Sequence, residues 1–322
     1  MSYKQENEAK ADFDDVYIMP TPHSYISAMS SHGYQIGEQA RPYFKSAAEL
    51  LGELNQQAWP VQMLDIGCSY GIGSALVKYG CSFDEIVSFY SSRAPMNYAS
   101  CCDVMRMWLN VTPPACDIRC VGLDSSAPAI KFALDSGLLD GGIARNYENG
   151  ASKKQQKEEI AWYRSCNLLV SCGAIGYVTD KTLSAVLTHL GKDHPGSQGP
   201  FAVMTILRMF DTEAIASTFE RYGYRFEAVP GITLRQRKFI DEQEKTKIIQ
   251  LIHNLGFSTR QWEDTGELFA HLYIAARPDQ FPTLKERMED TRPHSASNAQ
   301  TQAAIMAVHR NLTREKRPLN HF

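Results

Sequence analysis

No stretch of this 322-residue chain approaches 18 consecutive apolar residues, so no membrane-spanning helix is expected. The opening MSYKQENEAKADFDD is polar and acidic and lacks the apolar centre of a secretory signal, which makes the cytoplasm the expected compartment. Charge of one sign is missing too: 33 Lys and Arg face 36 Asp and Glu, a net of −3, and no global field draws the chain to nucleic acid or anionic lipid. The 8 cysteines include no CxxC pair and several sit in apolar strand-like runs, a pattern of buried free thiols rather than a disulfide framework. HExxH, paired cysteine clusters and close carboxylate triads are absent, so no metal is expected. The glycines do not form the G-x-G-x-x-G dinucleotide fingerprint, no serine-nucleophile elbow is read into the chain, and there is no internal repeat.

What remains is an ordinary globular composition, 43% hydrophobic and 21% charged, in a chain long enough to bury a core without staples. Residues 1–58 read as a loose tail (1–12) and an aromatic, helical N-terminal cap that ends in the helical pattern Arg41–Gln57. Strand-like runs follow at Val61–Ile66, Ile118–Leu123, Gly142–Arg145, Leu168–Cys172, Phe201–Leu207, Arg225–Val229 and Leu268–Ala276. Helical patterns alternate with them, which predicts a mostly parallel seven-stranded sheet with helices on both faces and an antiparallel edge made by the last two strands. Residues 82–116 are too long for a simple crossover and read as an inserted segment of two helices. The main domain is thus 59–278. Residues 279–322 read as a tail, dispensable for chemistry, with one amphipathic helix at Thr301–Arg314.

The strongest local signal is Met63-Leu64-Asp65-Ile66-Gly67-Cys68-Ser69-Tyr70-Gly71-Ile72-Gly73, an apolar strand that runs into glycines and then a helix. Such a turn brings backbone amides close to a ligand. The spacing G-x-x-x-G-x-G, with Asp65 two residues before the first glycine, suits an amino-acid cofactor that carries a cation and no phosphates. Asp65 is placed to engage its amino group. The next strand delivers Asp124 at its C-terminal end, where a carboxylate accepts hydrogen bonds from ribose hydroxyls. A tight strand–helix turn and a helix cap are the ordinary alternatives for these two features.

The stretches LDIGCSYGIGSALV and VGLDSSAPAIKFA resemble the glycine-loop and acidic-loop motifs of class I methyltransferases dependent on S-adenosylmethionine (SAM), and the resemblance extends over residues 13–278 through CGAIGYVTDKTL, ILRMFDTEAIASTF and RQRKF. It implies an α/β, Rossmann-like fold, SAM as cofactor, and Asp65, Gly67, Cys68, Ser69, Tyr70, Gly71, Asp124, Ser125, Asn146, Cys172 and Gly173 as cofactor-binding positions. The long insertion before Asp124 and the tail after Arg277 depart from the family pattern. A small molecule is the expected substrate, and a homodimer is compatible with the chain. Methyl transfer to that molecule is the leading function. The alternatives are cyclisation of SAM itself, as in the azetidine-2-carboxylate synthases that the layout also resembles, and binding of SAM without catalysis.

Tyr177, Asn146 and Thr205 are the candidate catalytic residues, with Tyr177 placed either to set its ring beside the sulfonium or to pack on the following helix. Arg208, at the end of the fifth strand-like run, is a candidate clamp for a substrate carboxylate. Arg235 and Arg237 alternate with Gln236 and are expected to be solvated or paired with Asp211 or Glu242. His271 is expected to be a satisfied core group. His23 and His32 are placed to approach substrate if the cap acts as a lid.

Overall fold

The computed structural model describes residues 6–10, 13–56, 60–93, 96–149, 155–194 and 198–292. Seven strands form one sheet: β1 (Val61–Ile66), β2 (Ile118–Asp124), β3 (Gly141–Ala144), β4 (Leu168–Cys172), β5 (Phe201–Leu207), β6 (Arg225–Lys238) and β7 (Glu267–Ala276). Their order is β3-β2-β1-β4-β5-β7-β6. The first five pair in parallel, and β7 runs antiparallel between β5 and β6. With helices flanking it, this is a Rossmann-like α/β arrangement, a mostly parallel sheet with an antiparallel edge, as expected from the sequence. Every residue of β5 is buried, as expected for a strand covered on both faces.

Local chemistry sets the helix starts. Ser82 and Glu85 form a reciprocal capping box ahead of helix Phe83–Ser91. Ser126 caps helix Ala127–Asp135, whose first turn contains Pro128. The predicted insertion holds the two expected helices, Phe83–Ser91 and Tyr98–Val111, and Ile86, Phe89, Cys101, Cys102 and Met105 fix them to the core.

Three boundaries differ from expectation. Helix Ile36–Leu54 starts before Arg41, carries Pro42 inside it, and packs on β1, β4, β5 and β6, so the N-terminal region shares the main core. Beyond residue 278, helix Phe281–Asp290 buries Phe281, Leu284 and Met288 and packs on Ile36–Leu54 and the β6–β7 edge, where a loose tail was expected. The helix expected at 301–314 lies outside the described residues. Strand β6 runs on to Lys238, past the expected end at Val229, because Thr233–Arg235 and Arg237–Lys238 resume the ladder with β7 on either side of a bulge at Gln236.

Candidate functional site

At the C-terminal ends of β1, β2 and β4 lies a cavity of about 370 Å³. Gly67 (φ +75°) and Gly71 (φ +75°) turn the chain out of β1 into helix Ile72–Tyr79. Gly67 also permits a close approach: a Cβ there would stand 2.3 Å from the Cβ of Ala174 in the loop after β4. The amides of Gly67 and Cys68 donate to Leu123 O on β2 (2.8 and 3.4 Å), which ties the glycine loop to the neighbouring strand.

Asp124 completes that tie. Its Oδ2 accepts from Ser69 N and its Oδ1 from Ser126 N, both at 2.8 Å. Burial raises its carboxyl above the usual range, while the amides of Ser126, Ser69 and Ser125 pull it back down. Asp65, 5% exposed, accepts a 2.8 Å bond from Ser74 Oγ, and burial pushes its carboxyl up to about 6. Neither carboxylate forms an ion pair among the described residues. Among the described residues the one cationic side chain that lines the cavity, Arg145, is taken by Glu159 (Nη2–Oε1 2.5 Å). Glu148 is held by Thr179 N (3.0 Å) and by the hydroxyls of Thr179 (2.6 Å) and Thr182 (2.5 Å). The cavity therefore carries excess negative charge.

Its other walls are aromatic: Tyr17, Tyr25, Tyr34, Tyr147 and Tyr177 all line it. Burial raises Tyr25 and Tyr34 well above the usual phenol range and Cys172 to about 12, so these groups are neutral at neutral pH. Two buried polar atoms of lining residues lack any hydrogen-bond partner, Ser69 Oγ and Gln236 Oε1. Ser69 is also a non-glycine residue at φ +49°, a conformation that costs about 1 kcal/mol or more and tends to be retained at functional sites. Gly67-Cys68-Ser69-Tyr70-Gly71 does spell G-x-S-x-G, contrary to the sequence reading. Ser69 Oγ is unpartnered, and among the described residues no histidine lines the cavity to activate it as a nucleophile.

Of the expected site residues, Asp65, Gly67, Cys68, Ser69, Asp124, Ser125, Asn146, Cys172, Gly173 and Tyr177 line the cavity. Tyr70, Gly71 and Thr205 do not. Tyr70 is fully buried and its hydroxyl bonds to Val16 O (3.0 Å) and Met19 O (2.8 Å), anchoring the N-terminal segment. Gly71 packs on Leu139 and Ala133. Thr205 lies behind the wall: its Oγ1 accepts from Gly173 N (2.9 Å) and orients the β4 loop. Asn146 spends its carbonyl on Glu148 N (2.8 Å).

The expected carboxylate clamp is overturned. Arg208 is buried against Glu263, donates to Ser258 O (2.7 Å) and faces His271. His271 is the core group expected, bonded to Thr233 Oγ1 (3.1 Å) and pushed down to about 4 by burial and by Arg208. Arg235 and Arg237 are paired, as expected, though with Glu267 (3.1 Å) and Glu244 (2.6 Å). His23 contacts Thr21 and Tyr90, His32 contacts Phe13, and neither lines the cavity.

Sequence reasoning missed Tyr17, Tyr25, Tyr34 and Gln236. No periodicity signalled Gln236, which is the extra residue of a bulge between Arg235 and Arg237. Residues 6–10, expected within a loose tail, lie on the β4 loop: Asn7 Nδ2 donates to Gly176 O (2.6 Å) and Lys10 Nζ sits 4.5 Å from the Tyr177 ring centre. Burial, with Arg237 nearby, lowers the Lys10 ammonium to about 7. No cluster of three or more metal-ligating side chains, and no helix long and apolar enough to cross a membrane, occurs among the described residues.

No family model matches the chain, and no curated protein matches it in sequence. Among solved structures it is similar to the plantazolicin methyltransferase BpumL in complex with S-adenosylhomocysteine (TM-score 0.36, 14% identity, 85% of this chain and 97% of that one). Others are a TehB-like SAM-dependent methyltransferase from Corynebacterium glutamicum (TM-score 0.29, 14% identity, 69% and 85%) and the [4+2]-cyclase SpnF (TM-score 0.34, 9% identity, 72% and 80%).

Proposed function

We propose that this cavity binds S-adenosylmethionine and that the protein transfers its methyl group to a small molecule. One observation carries the proposal: Asp65, buried, and Asp124, half-buried, stand at the tips of adjacent parallel strands and line one cavity, with no cation paired to either among the described residues. Buried carboxylates are costly unless a positive partner or hydrogen-bond donors complete them. The ammonium of a methionyl group suits Asp65, and ribose hydroxyls suit Asp124. Ser69 Oγ is a further polar contact for the same ligand, and the slim glycine loop leaves room for it. Tyrosine faces around the cavity favour a cationic centre by ~1–2 kcal/mol when it is desolvated.

When bound, SAM supplies a carbon already activated by a positive sulfur. The chain's share is then chiefly alignment and exclusion of water. Tyr177 and Asn146 line the space for the reacting groups, and Thr205 fixes the β4 loop that carries Cys172 and Gly173. Incubation of the purified protein with SAM and a broad panel of small amines, alcohols and acids should yield S-adenosylhomocysteine. Its steady absence, together with absence of any product from SAM alone, counts against the proposal.

The cavity size favours a second reading. At about 370 Å³ it lies near the lower end of the ~300–1,000 Å³ range of small-molecule sites. One nucleoside-sized ligand nearly fills such a volume, which suits a reaction within SAM itself, giving a cyclic amino acid and methylthioadenosine. Methylthioadenosine formed without any acceptor decides for this reading, and S-adenosylhomocysteine formed only with an acceptor decides against it.

A further inference from the structure

We propose that the nucleophile taken by this cavity is an amine, and that Gln236 Oε1 is the acceptor that holds its N–H beside the reacting carbon. The inference rests on the SAM-binding proposal and assigns the acceptor class for it.

Gln236 is 7% exposed and lines the cavity, yet its Oε1 has no hydrogen-bond partner. A buried amide carbonyl left unpaired is costly. The backbone is arranged to put it there. Arg235 pairs with Phe269 and Arg237 with the adjacent Leu268, so Gln236 is the extra residue of a β-bulge, a device that re-aims side chains. Gln236 O accepts from Gln35 N (2.7 Å), which fixes the bulge to the N-terminal segment, and Nε2 points toward Gly173 at the end of β4. The free carbonyl is thus held on a rigid strand edge, next to the loop where the reacting groups meet.

The charges select the partner. A carboxylate or phosphate acceptor needs a cation, and Arg145, Arg208, Arg235 and Arg237 are all in ion pairs. A hydroxyl acceptor needs a base, and among the described residues no histidine or lysine lines the cavity, Glu148 is held by Thr179 and Thr182, and Asp65 and Asp124 are the groups assigned to the ammonium and ribose of SAM. An amine needs neither. It enters as the free base, its ammonium proton left in solvent. Its lone pair forms the new C–N bond, the C–S bond breaks with its electron pair staying on sulfur, and positive charge passes to nitrogen. The alkylated ammonium loses its extra proton to solvent after release. A carbonyl dipole fixed on that nitrogen stabilises the charge as it arrives. The amine belongs to a second molecule, because the α-amino group of SAM is the ammonium assigned to Asp65.

Calorimetry tests the contact without turnover. The probes are S-adenosylhomocysteine and the adenosyl-ornithine analogue with a primary amine in place of the methylated sulfur. Wild-type protein should bind the amine analogue ~10-fold more tightly, and Gln236→Leu should erase that preference while leaving S-adenosylhomocysteine affinity unchanged. Unchanged affinity for the common ligand also reports that the variant folds. Gln236→Glu should retain the preference and move the rise of the pH–rate profile upward, because a carboxylate holds the amine protonated. In assays, Gln236→Leu should lower turnover ~100-fold, read as S-adenosylhomocysteine formed with an added amine. A preference that survives Gln236→Leu overturns the assignment alone. Wild-type protein that binds neither probe overturns the SAM proposal with it.

Discussion

The two halves of the sheet treat buried charge in opposite ways. In the antiparallel half three arginines have their carboxylates: Arg208 with Glu263, Arg235 with Glu267, Arg237 with Glu244. In the parallel half Asp65 and Asp124 stand at the strand tips without a cation, and Ser69 Oγ stands unpartnered beside them. Paired charges close a structure by themselves, whereas unpaired ones need something from outside. The same residue types thus mark scaffold on one side and ligand site on the other.

Breaking a pair should have the largest effect. Glu263→Gln leaves Arg208 buried without its counter-ion and should cost ~3–5 kcal/mol in urea unfolding. The folded fraction should bind S-adenosylhomocysteine as the wild type does, since Arg208 is no ligand clamp. Asp65→Asn should do the reverse. The amide still accepts from Ser74, the burial cost of the charge disappears, and stability at pH 7 should rise by ~1–3 kcal/mol while ligand affinity falls ~10–100-fold.

A smaller effect concerns pH. The Asp65 carboxyl is raised from 3.8 to about 6 in the folded chain, so between these values the native state binds more protons than the unfolded one. Its contribution to stability is fully present below pH 4 and is lost as the pH rises through 6. Ligand affinity moves the other way, falling ~10-fold from pH 7 to pH 5 as Asp65 protonates. Calorimetry and urea titrations across that range check both signs, and Asp65→Asn should flatten both curves at that step. The smallest change is expected for Thr205→Val, about 1 kcal/mol of stability and a few-fold in turnover, because Gly173 N also bonds to Thr205 O (3.3 Å).

The parallel half was largely legible in the sequence. Asp65, the glycine loop and Asp124 are contiguous with their strands, and local spacing carries their geometry. The remaining walls depend on contacts distant in sequence. Tyr25 and Tyr34 reach the cavity because Tyr70, read as a cofactor contact, instead fastens the chain at Val16 and Met19. Gln236 enters through a bulge that no periodicity announces, and helix Phe281–Asp290 joins the core through packing on Ile36–Leu54. Arg208 was misread because a guanidinium at a strand end looks alike whether it awaits a substrate or already holds a glutamate 55 residues away.

Titration of S-adenosylhomocysteine into wild-type protein and into Asp65→Asn, side by side at pH 7, tests the central claim most directly. The wild type should give saturable one-to-one heat, and the variant, though at least as stable, should bind ten-fold or more weakly, about 1.4 kcal/mol. Absence of wild-type binding, or equal affinity in the two proteins, would contradict it.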